Sequence, residues 1–600
     1  DKGGSWGGSG GGIGSRRGSQ DFIDEESLPV SLLRVSGSAV GEWASLSLLS
    51  GSLLDEDIVF DLAAFNRDIE DELEAGTVPF FAYHNRIKDL EAQLNERPDS
   101  VYVRTKRDNT PLHMAVRGMS HQSVELLLER GAPVDALGRD GRTALHEACR
   151  MGDLQSVSML LASGSDATIV EGTHNRLPSH EAALSGSTAI LEELVAHGFE
   201  STLFQEDGDG RLPWHLAASC CNVGVMSKLS QLGQSVDQQS GDAMQRTALM
   251  ETILANDGER SVVAARALLD RFHAGVNVVD GAGDTALHHA LRLGNADMAS
   301  LLLERGADPH ARNHNGESAL FLAVNAGLLP LAKELVQKYG CDLNEQAGEE
   351  QYSALHMAAS RNDIPMVEFL LDAGADVNLR DKDNRTPLHV GTRDGATDVC
   401  LYLIDRGANI FLPEIHDWTV LHMASIAGDD VLVSYLLSQV RNTQQHASYV
   451  DSLSTFGNTA LHFACRYGHA KCAKLLIEAG SDVTTCSNTE QWTPLMEAAA
   501  NGHVDCLQMV LRTGTPDLCI VCGKDGHTAL HLAASHGHPA CVSALLTHEP
   551  KTVSSRTHTG SEPLHCACRF GHANVVEILL AGGAKVDHQD SDLWTPLHEA

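Results

Sequence analysis

Residues 457–482 read GNTALHFACRYGHAKCAKLLIEAGSD and contain the signals for two short helices. Thr459 can cap the first helix, because its hydroxyl can accept a hydrogen bond from a backbone amide that has no partner inside the helix. Gly468 and Gly480 are placed to end the first and the second helix, since glycine readily adopts the left-handed conformation that closes many helices. The stretch therefore predicts two antiparallel helices followed by an extended loop, here called a finger.

The four-residue frame in this stretch, Thr-Ala-Leu-His, recurs along most of the chain. Counting degenerate copies, it occurs fifteen times at a mean spacing of about 35 residues, a period typical of stacked repeats. Two such helices are too short to be stable alone, so neighbouring repeats must cover their apolar faces. The histidine of the frame, here called the frame position, falls at residues 113, 146, 180, 215, 250, 288, 321, 356, 389, 422, 462, 496, 531, 565 and 598.

The repeated unit resembles the ankyrin repeat. The clearest copies combine the frame with small residues in the first helix, a Gly-His or similar turn and a Leu-rich second helix, and they lie at residues 141–166, 384–409, 457–482 and 526–550. The resemblance covers roughly residues 77–600. It implies an all-α solenoid of about fifteen helix-turn-helix units, used in its family as a general protein-binding scaffold, and it says little about activity.

Segments outside the regular frames complete the predicted organisation. Residues 1–20 are rich in Gly and Ser and are expected to form a disordered tail, and residues 21–76 form a poorly defined acidic and apolar segment with a helix near 55–75. Residues 77–105 lack the frame but have the length of a repeat, which predicts a degenerate N-terminal cap. A long spacing before the frame at 462 predicts an enlarged finger or loop near 440–457. The fifteenth repeat is truncated at its end, so we expect a fragment of a longer protein.

The composition indicates an acidic chain that does not bind nucleic acid. Asp and Glu total 80 against 44 Lys and Arg, which gives a formal net charge of −36, whereas contact with a phosphate backbone requires a basic surface. The fourteen cysteines fall mostly inside expected helices and are interpreted as reduced packing residues. No apolar run reaches the roughly 18 residues of a membrane span, and no signal segment opens the chain. These features predict a cytoplasmic protein or the cytosolic part of a membrane-associated one.

The recurring histidines could suggest metal binding or general-base catalysis. Twelve of the fifteen frames carry histidine, whereas Met250, Phe321 and Met496 take its place in the others. A ring that hydrogen-bonds the backbone or the capping threonine explains one histidine per repeat, and a 35-residue period spreads these rings along a rod instead of gathering them at one point. We therefore predict a structural role for the frame histidines and no catalytic residue.

A second pattern could suggest zinc. Cys519 and Cys522 are followed by His527 and His531, and both spacings occur in zinc sites. However, His531 is a frame histidine, and the four residues between the two pairs are fewer than such sites commonly have. No phosphate-binding loop, nucleophile elbow or metalloprotease helix occurs. We predict neither a metal nor a cofactor.

Aromatic residues recur in the fingers, immediately before the capping position. They are Tyr352, Trp418, Trp492 and Trp594, and we expect this position to face solvent. Exposed aromatic side chains are favoured as anchors at protein interfaces. Packing of each aromatic ring on the neighbouring finger would explain the same pattern. We predict these four residues as protein-binding residues.

The residue that follows the frame position is expected to face the concave groove of the solenoid. It is acidic in five repeats and large and apolar in seven, which predicts alternating acidic and apolar stations. A solvated helix face combined with intramolecular packing would give the same pattern. The five are Glu147, Glu181, Glu251, Glu497 and Glu599, and the seven are Met114, Leu216, Leu322, Met357, Met423, Phe463 and Leu532. From these we predict Glu147, Glu181, Glu497, Met357, Met423 and Phe463 as contact residues.

The predicted function is that of a non-enzymatic scaffold or adaptor that binds proteins through its fingers and groove. We expect partners with basic or mixed basic and apolar segments, and neither nucleic-acid binding nor membrane insertion by this portion. Two alternatives stay open. The chain could be the cytosolic domain of a membrane channel of the transient-receptor-potential type. It could also be the targeting or regulatory region of a phosphatase, kinase or ubiquitin-ligase complex whose other domains lie outside this sequence.

Overall fold

The computed structural model describes residues 73–515 and 517–600. Within these ranges it contains 32 α-helices and four short 3-10 helices, and the only strand-like pairing is two isolated β-bridges. The all-α prediction is therefore confirmed for the described part of the chain. The expected tail at 1–20 lies outside it. Of the helix expected over 55–75, only residues 73–75 are described, and they are not helical.

The helices alternate between a first and a second helix in each repeat. The segment expected to cap the array contains α1 (Val78–Tyr83) and α2 (Ile87–Glu96). The first helices are α3 (Pro111–Arg117), α5 (Ala144–Met151), α7 (Pro178–Ser185), α9 (Pro213–Ser219), α11 (Ala248–Leu254), α13 (Ala286–Arg292), α15 (Ala319–Asn325), α17 (Ala354–Ser360), α19 (Pro387–Arg393), α21 (Val420–Ala427), α24 (Ala460–Arg466), α26 (Pro494–Ala500), α28 (Ala529–Ser535), α30 (Pro563–Arg569) and α32 (Pro596–Glu599). The second helices are α4 (His121–Glu129), α6 (Leu154–Ala162), α8 (Thr188–Ala196), α10 (Val223–Gln231), α12 (Gly258–Asp270), α14 (Ala296–Glu304), α16 (Leu329–Gln337), α18 (Ile364–Asp372), α20 (Thr397–Asp405), α22 (Asp430–Val440), α25 (Ala470–Glu478), α27 (Val504–Leu511), α29 (Pro539–His548) and α31 (Ala573–Ala581), and α23 (His446–Val450) is an additional short helix.

The cap begins with a threonine that caps its first helix, although the sequence around it does not match the frame. The Thr77 hydroxyl accepts a hydrogen bond from the backbone amide of Phe80, as the capping threonine of a regular repeat does. Val-Pro-Phe follows Thr77 where a regular frame has Pro-Leu-His or Ala-Leu-His, so the resemblance is not visible in the letters. The array thus contains one additional unit with a capped first helix before the first regular frame.

The two kinds of helix form two layers that share one apolar core. Each first helix packs against the first helix of the next repeat and against the second helix of its own repeat, and second helices pack on one another. Small residues such as Ala148, Cys149 and Ala182 are fully buried where first helices approach each other. The buried cluster runs from Val78 to Leu579. Because each repeat covers its neighbours, the core is continuous along the array.

Most frame histidines connect their first helix to the following finger. In the repeat quoted above, His462 Nδ1 accepts from the backbone amide of Thr459 at 3.0 Å, so Nε2 carries the proton and donates to the carbonyl of Trp492 at 3.1 Å. This confirms the structural role predicted for the ring. The same Nε2 bond to a carbonyl of the next repeat is formed by His113, His146, His180, His215, His288, His356, His422, His531 and His565.

The fingers are joined directly to one another by backbone hydrogen bonds. Gly172 N donates to the carbonyl of Asp140 at 2.7 Å, and Asn488 N donates to the carbonyl of Phe456 at 2.8 Å. Bonds of this kind recur between successive fingers along the chain. Because buried and partly buried backbone groups need partners, this ladder fixes the spacing and orientation of neighbouring fingers.

A close contact between glycine and histidine adds to the stacking in the C-terminal half. Gly468 ends α24 with a φ of 77°, and a Cβ atom there would lie 2.5 Å from Nδ1 of His503. His503 precedes α27 in the next repeat. Gly468 is therefore required both for its left-handed backbone and for the space that it leaves to the ring.

Two departures from the regular repeat correspond to long spacings between successive frame positions in the sequence. The residues expected to enlarge a finger near 440–457 instead lengthen α22 to 11 residues and form α23, whose Tyr449 and Val450 are buried. The longer spacing before the frame at 288 corresponds to α12, which has 13 residues where most second helices have about nine. The first insertion thus changes the second helix and the segment after it, and the second lengthens the second helix alone.

Acidification is expected to weaken the array through the frame histidines. Burial lowers the pKa of His146, His356 and His462 from 6.5 to about 4, against the smaller opposing effect of the backbone hydrogen bond. The unfolded chain therefore binds more protons than the folded chain between pH 6.5 and 4. The histidine contribution to stability is complete above pH 6.5 and is lost as the pH falls toward 4.

Hydrogen exchange of the α24 amides measures this effect. The free energy of opening should decrease between pH 6.5 and 5 in the unaltered protein, and less steeply in His462→Met, which carries the residue found at frame positions 250 and 496. Identical pH slopes for the two proteins would contradict the assignment.

Candidate protein-binding surface

The aromatic finger residues do not form the solvent-facing row that was expected. Trp418 is only 5% exposed and Tyr352 is also buried, whereas Trp492 is half-buried and Trp594 is 49% exposed. The predicted exposure is therefore wrong for Trp418 and Tyr352. The following repeat covers these side chains, and Trp594 is open because it lies in the last described finger. A binding role for Trp492 and Trp594 stays a prediction.

Trp418 belongs to a small apolar cluster that is separate from the main core. The cluster contains Trp418, Met423, Ile426 and Phe463, and Tyr467 packs against it. The rings of Trp418 and Phe463 meet edge to face with centroids 5.3 Å apart. Such geometry is favourable for aromatic pairs. The cluster joins the repeats at frame positions 422 and 462 on the side of the fingers and first helices.

The acidic residues predicted to line an open groove are buried between first helices. Glu147, Glu181 and Glu497 are each at most 2% exposed, so the prediction of exposed acidic stations is wrong for them. Small residues let neighbouring first helices approach closely, and the side chain after the frame position then lies between two repeats. Met423 and Phe463 are buried for the same reason, and Met357 is half-buried.

Arginines from the preceding repeat neutralise two of these carboxylates. Arg117 Nη2 donates to Glu147 Oε1 at 2.7 Å, and Arg466 contacts Glu497 at 2.7 and 3.0 Å. Burial raises the pKa of Glu147, but the Arg117 guanidinium outweighs burial and holds that pKa at about 2. The arginine stands four residues after one frame position and the glutamate one residue after the next. These pairs connect repeats and offer little free charge to a partner.

Glu181 occupies the same position, one residue after the frame position at 180. Burial raises the pKa of Glu181, although Arg142, Arg150 and Arg176 act in the opposite direction. Its carboxylate is fully covered, at 2% exposure. A basic partner segment could reach it only if the two first helices around it separated.

The apolar residues that the structure does expose on the fingers were not selected from the sequence. Leu137, Val170, Val279 and Leu453 are between 46% and 50% exposed. In each case the next residue donates its backbone amide across the turn of the finger, as Gly138 does to the carbonyl of Arg142. A large apolar residue nine or ten positions before the next frame position is the signal that could have identified them. Phe411, Ile415 and Ile520 are further exposed apolar residues of the fingers.

The four residues of the zinc-like pattern do not converge. Cys519 is buried while Cys522 is exposed. His531 uses Nδ1 for Thr528 and Nε2 for the carbonyl of Ser561, as a frame histidine does. The residues therefore serve the repeat, and the pattern does not correspond to a four-ligand site.

Elsewhere in the described ranges, Asp280, Asp284 and His289 lie close enough to share an ion. His289 Nε2 is 2.9 Å from Asp280 Oδ2, Arg292 donates to Asp284 at 2.6 and 3.2 Å, and Asn313 donates to Asp284 at 2.7 Å. These contacts occupy the carboxylates. We interpret the group as a buried network of ion pairs that links two repeats, and not as a metal centre.

Comparison with protein families agrees with this architecture. The family model described as "Ankyrin repeats (3 copies)" matches residues 81–171, 228–313, 260–347, 320–414, 411–485, 479–557 and 549–600. These matches cover well over half of the chain. The chain belongs to the ankyrin-repeat family.

Several curated proteins are similar to this ankyrin-repeat chain. Human transient receptor potential cation channel subfamily A member 1 is 27% identical over 496 residues, which cover 80% of this chain and 37% of the channel. Its Caenorhabditis elegans homolog is 27% identical over 222 residues, or 37% of this chain and 18% of the relative. Chicken nuclear factor NF-kappa-B p105 subunit is 28% identical over 293 residues, or 48% and 22%. The chain thus spans less than two fifths of each of these relatives.

The helices of the ankyrin repeats are short. Among the described residues, none of the helices has both the length and the apolar character that crossing a bilayer requires.

Removal of the Trp418 side chain is expected to destabilise the repeats around it. The ring is buried against Phe463 and Met423, so Trp418→Ala should leave a cavity and cost on the order of 3 kcal/mol of local stability. Hydrogen exchange of α21 and α24 measures the loss. Trp594→Ala is the matched control, because that ring is half exposed and its removal should change stability by less than about 0.5 kcal/mol. Equal effects of the two substitutions would contradict the assigned burial.

Proposed function

We propose that this ankyrin-repeat array is a non-enzymatic scaffold that binds partner proteins mainly through its fingers. The observation that supports the proposal is the recurrence of exposed apolar side chains at one finger position, as Leu137, Val170, Val279 and Leu453. Isolated exposed apolar residues are ordinary on protein surfaces. Recurrence at one position of a periodic structure instead provides several anchors on one side of the array.

The stacking supports a pre-organised binding surface. Backbone hydrogen bonds connect successive fingers, and ten frame histidines each tie a finger to the preceding first helix. Neighbouring fingers are therefore held about 10 Å apart, the distance between packed helix pairs. A partner that binds several fingers does not need to order them first, which lowers the entropic cost of association.

The charge of the chain favours partners with basic or mixed basic and apolar segments. The formal net charge is −36, and a surface of this sign attracts Lys and Arg and repels nucleic acid. We place the protein in the cytoplasm, either free or as the cytosolic part of a membrane-associated protein. The proposal assigns it no catalytic step and no cofactor.

A triple substitution in the fingers tests the scaffold function. Leu137→Ser, Val279→Ser and Leu453→Ser together should reduce the capture of specific cytosolic partners by the full chain at least about tenfold, because each change removes roughly 1 kcal/mol of apolar contact. Capture is measured by quantitative mass spectrometry of proteins retained on the immobilised chain.

The matched control carries Leu154→Ser, Val431→Ser and Leu580→Ser, which change exposed apolar residues of second helices. Unchanged helical content in both variants is checked by circular dichroism. If the two triple variants retain the same partners in the same amounts, the fingers are not the binding surface.

A second candidate function is that of the cytosolic ankyrin region of a membrane channel. The similarity to human transient receptor potential cation channel subfamily A member 1 extends over 496 residues and supports this possibility. Under this proposal, the natural protein recognised by an antibody against residues 73–600 should remain in the membrane pellet after alkaline carbonate extraction. Complete release into the supernatant would argue against the channel and leave the scaffold function intact.

A further inference from the structure

The layer of second helices contains a cleft of about 650 Å³ between α12 and α14. The C-terminal ends of these two helices are aligned, because Arg305 forms two hydrogen bonds with Asp270, at 2.8 and 3.1 Å. Since α12 has 13 residues and α14 has nine, the four additional residues of α12 extend beyond the N-terminal end of α14. The cleft is bounded on one side by this longer helix.

The start of α12 is anchored away from the cleft. Arg260 Nη1 donates to Asp257 at 2.6 Å, and its Nη2 donates to the carbonyl of Cys220 in the preceding repeat at 3.2 Å. Near the other end, Arg271 donates to Ser227 of the same preceding repeat at 2.9 Å. These contacts hold α12 toward the preceding repeat and leave the cleft open on the side of α14.

The cleft combines an apolar floor with an acidic rim. Val262 and Leu301 line the floor, and the adjacent Val263 is 62% exposed. The charged residues that line the cleft are Glu259, Asp297, Glu304 and Arg266. Three carboxylates against one guanidinium give the rim an excess of negative charge.

Two of the rim carboxylates differ from those between the first helices. Glu147 and Glu497 are neutralised by arginines of the preceding repeat. In contrast, across residues 73–515 and 517–600 neither Glu259 nor Asp297 forms an ion pair. Their charge is therefore available to a molecule that enters the cleft, whereas the charge of the buried glutamates is not.

We propose that this cleft is a docking site for a segment of a partner protein that carries a lysine or arginine next to an apolar residue. The aliphatic stem of the basic side chain would pack on Val262 and Leu301, and its charged head would reach Glu259 and Asp297. The apolar neighbour would cover Val263. The inference rests on the proposed scaffold function and adds a second surface, on the side of the second helices, to the fingers.

The choice of occupant follows from the charge of the rim. A phosphate-bearing ligand or an acidic segment would meet like charge at three of the four ionisable side chains. A purely apolar segment would leave Glu259 and Asp297 without a partner while covering them, which costs free energy. The stem of a long cationic side chain can pack on the apolar floor while its charged group pairs with the carboxylates of the rim.

Binding of a defined peptide to the full 600-residue chain tests the proposal. The probe is a fluorescently labelled helical peptide built from Ala, Leu and Lys, with Leu and Lys on one face, and its counterpart has Glu in place of Lys. Fluorescence anisotropy at physiological salt should show saturable binding of the Lys peptide. Glu259→Lys with Asp297→Lys should weaken that binding about fivefold or more, from the loss of two surface ion pairs and the new repulsion.

The control variant carries Glu125→Lys and Glu368→Lys, which make the same charge change at exposed positions of α4 and α18. It should weaken binding less than about twofold, through the general field alone. Val263→Ser, which leaves all charges in place, should weaken binding of the Lys peptide about twofold to threefold through lost apolar contact. Circular dichroism of each variant confirms that the helices are intact.

Equal weakening by the two double variants, or tighter binding of the Glu peptide, would overturn the proposal. A photo-crosslink from the peptide that maps outside residues 258–304 would overturn it as well. The finger triple variant separates the two proposals, because it should bind the peptide unchanged. If cleft variants have no effect while finger variants still lose cytosolic partners, the cleft proposal fails and the scaffold function stands.

Discussion

The hydrogen bond from a frame histidine to a carbonyl of the following repeat, which ten of the twelve frame histidines form, is the interaction on which the architecture depends. The ring of His462, for example, links the cap of its own helix to the finger of the next repeat. A bond of this kind can form only when two repeats are stacked in register. It therefore favours a solenoid over a single closed core, and the helices, most of seven to eleven residues, gain their stability from their neighbours.

The same close stacking decides which side chains are available to partners. Small residues bring the first helices together, so Glu147, Glu497 and Phe463 are enclosed between repeats and serve the array itself. Exposed apolar residues are left at the finger turns, and carboxylates without an ion pair in the described part of the chain line the cleft between α12 and α14. The proposed binding surfaces thus lie where the periodic contacts end or become irregular.

The period and capping signals predict the fold well, because they are local and repeated fifteen times. The exposure of individual side chains is predicted poorly, because it depends on how closely two repeats approach. Trp418 and Trp492 occupy equivalent positions in the sequence, yet Trp418 is buried against Phe463 of the next repeat whereas Trp492 is only half-buried. Likewise, the unusual spacing before the frame at 288 revealed an insertion, but the sequence did not show that it would lengthen α12 and open a cleft.

The contact between Gly468 and His503 recurs in register between Gly428 and His469, Gly502 and His538, and Gly537 and His572. The three units with frame positions 462, 496 and 531 therefore each offer a glycine to the unit that follows and a histidine to the unit that precedes. If one of these units is deleted or duplicated as a whole, a glycine again faces the histidine of the unit that follows it. The block between Gly428 and His572 is accordingly where the array can change length by unequal exchange at the smallest cost in packing.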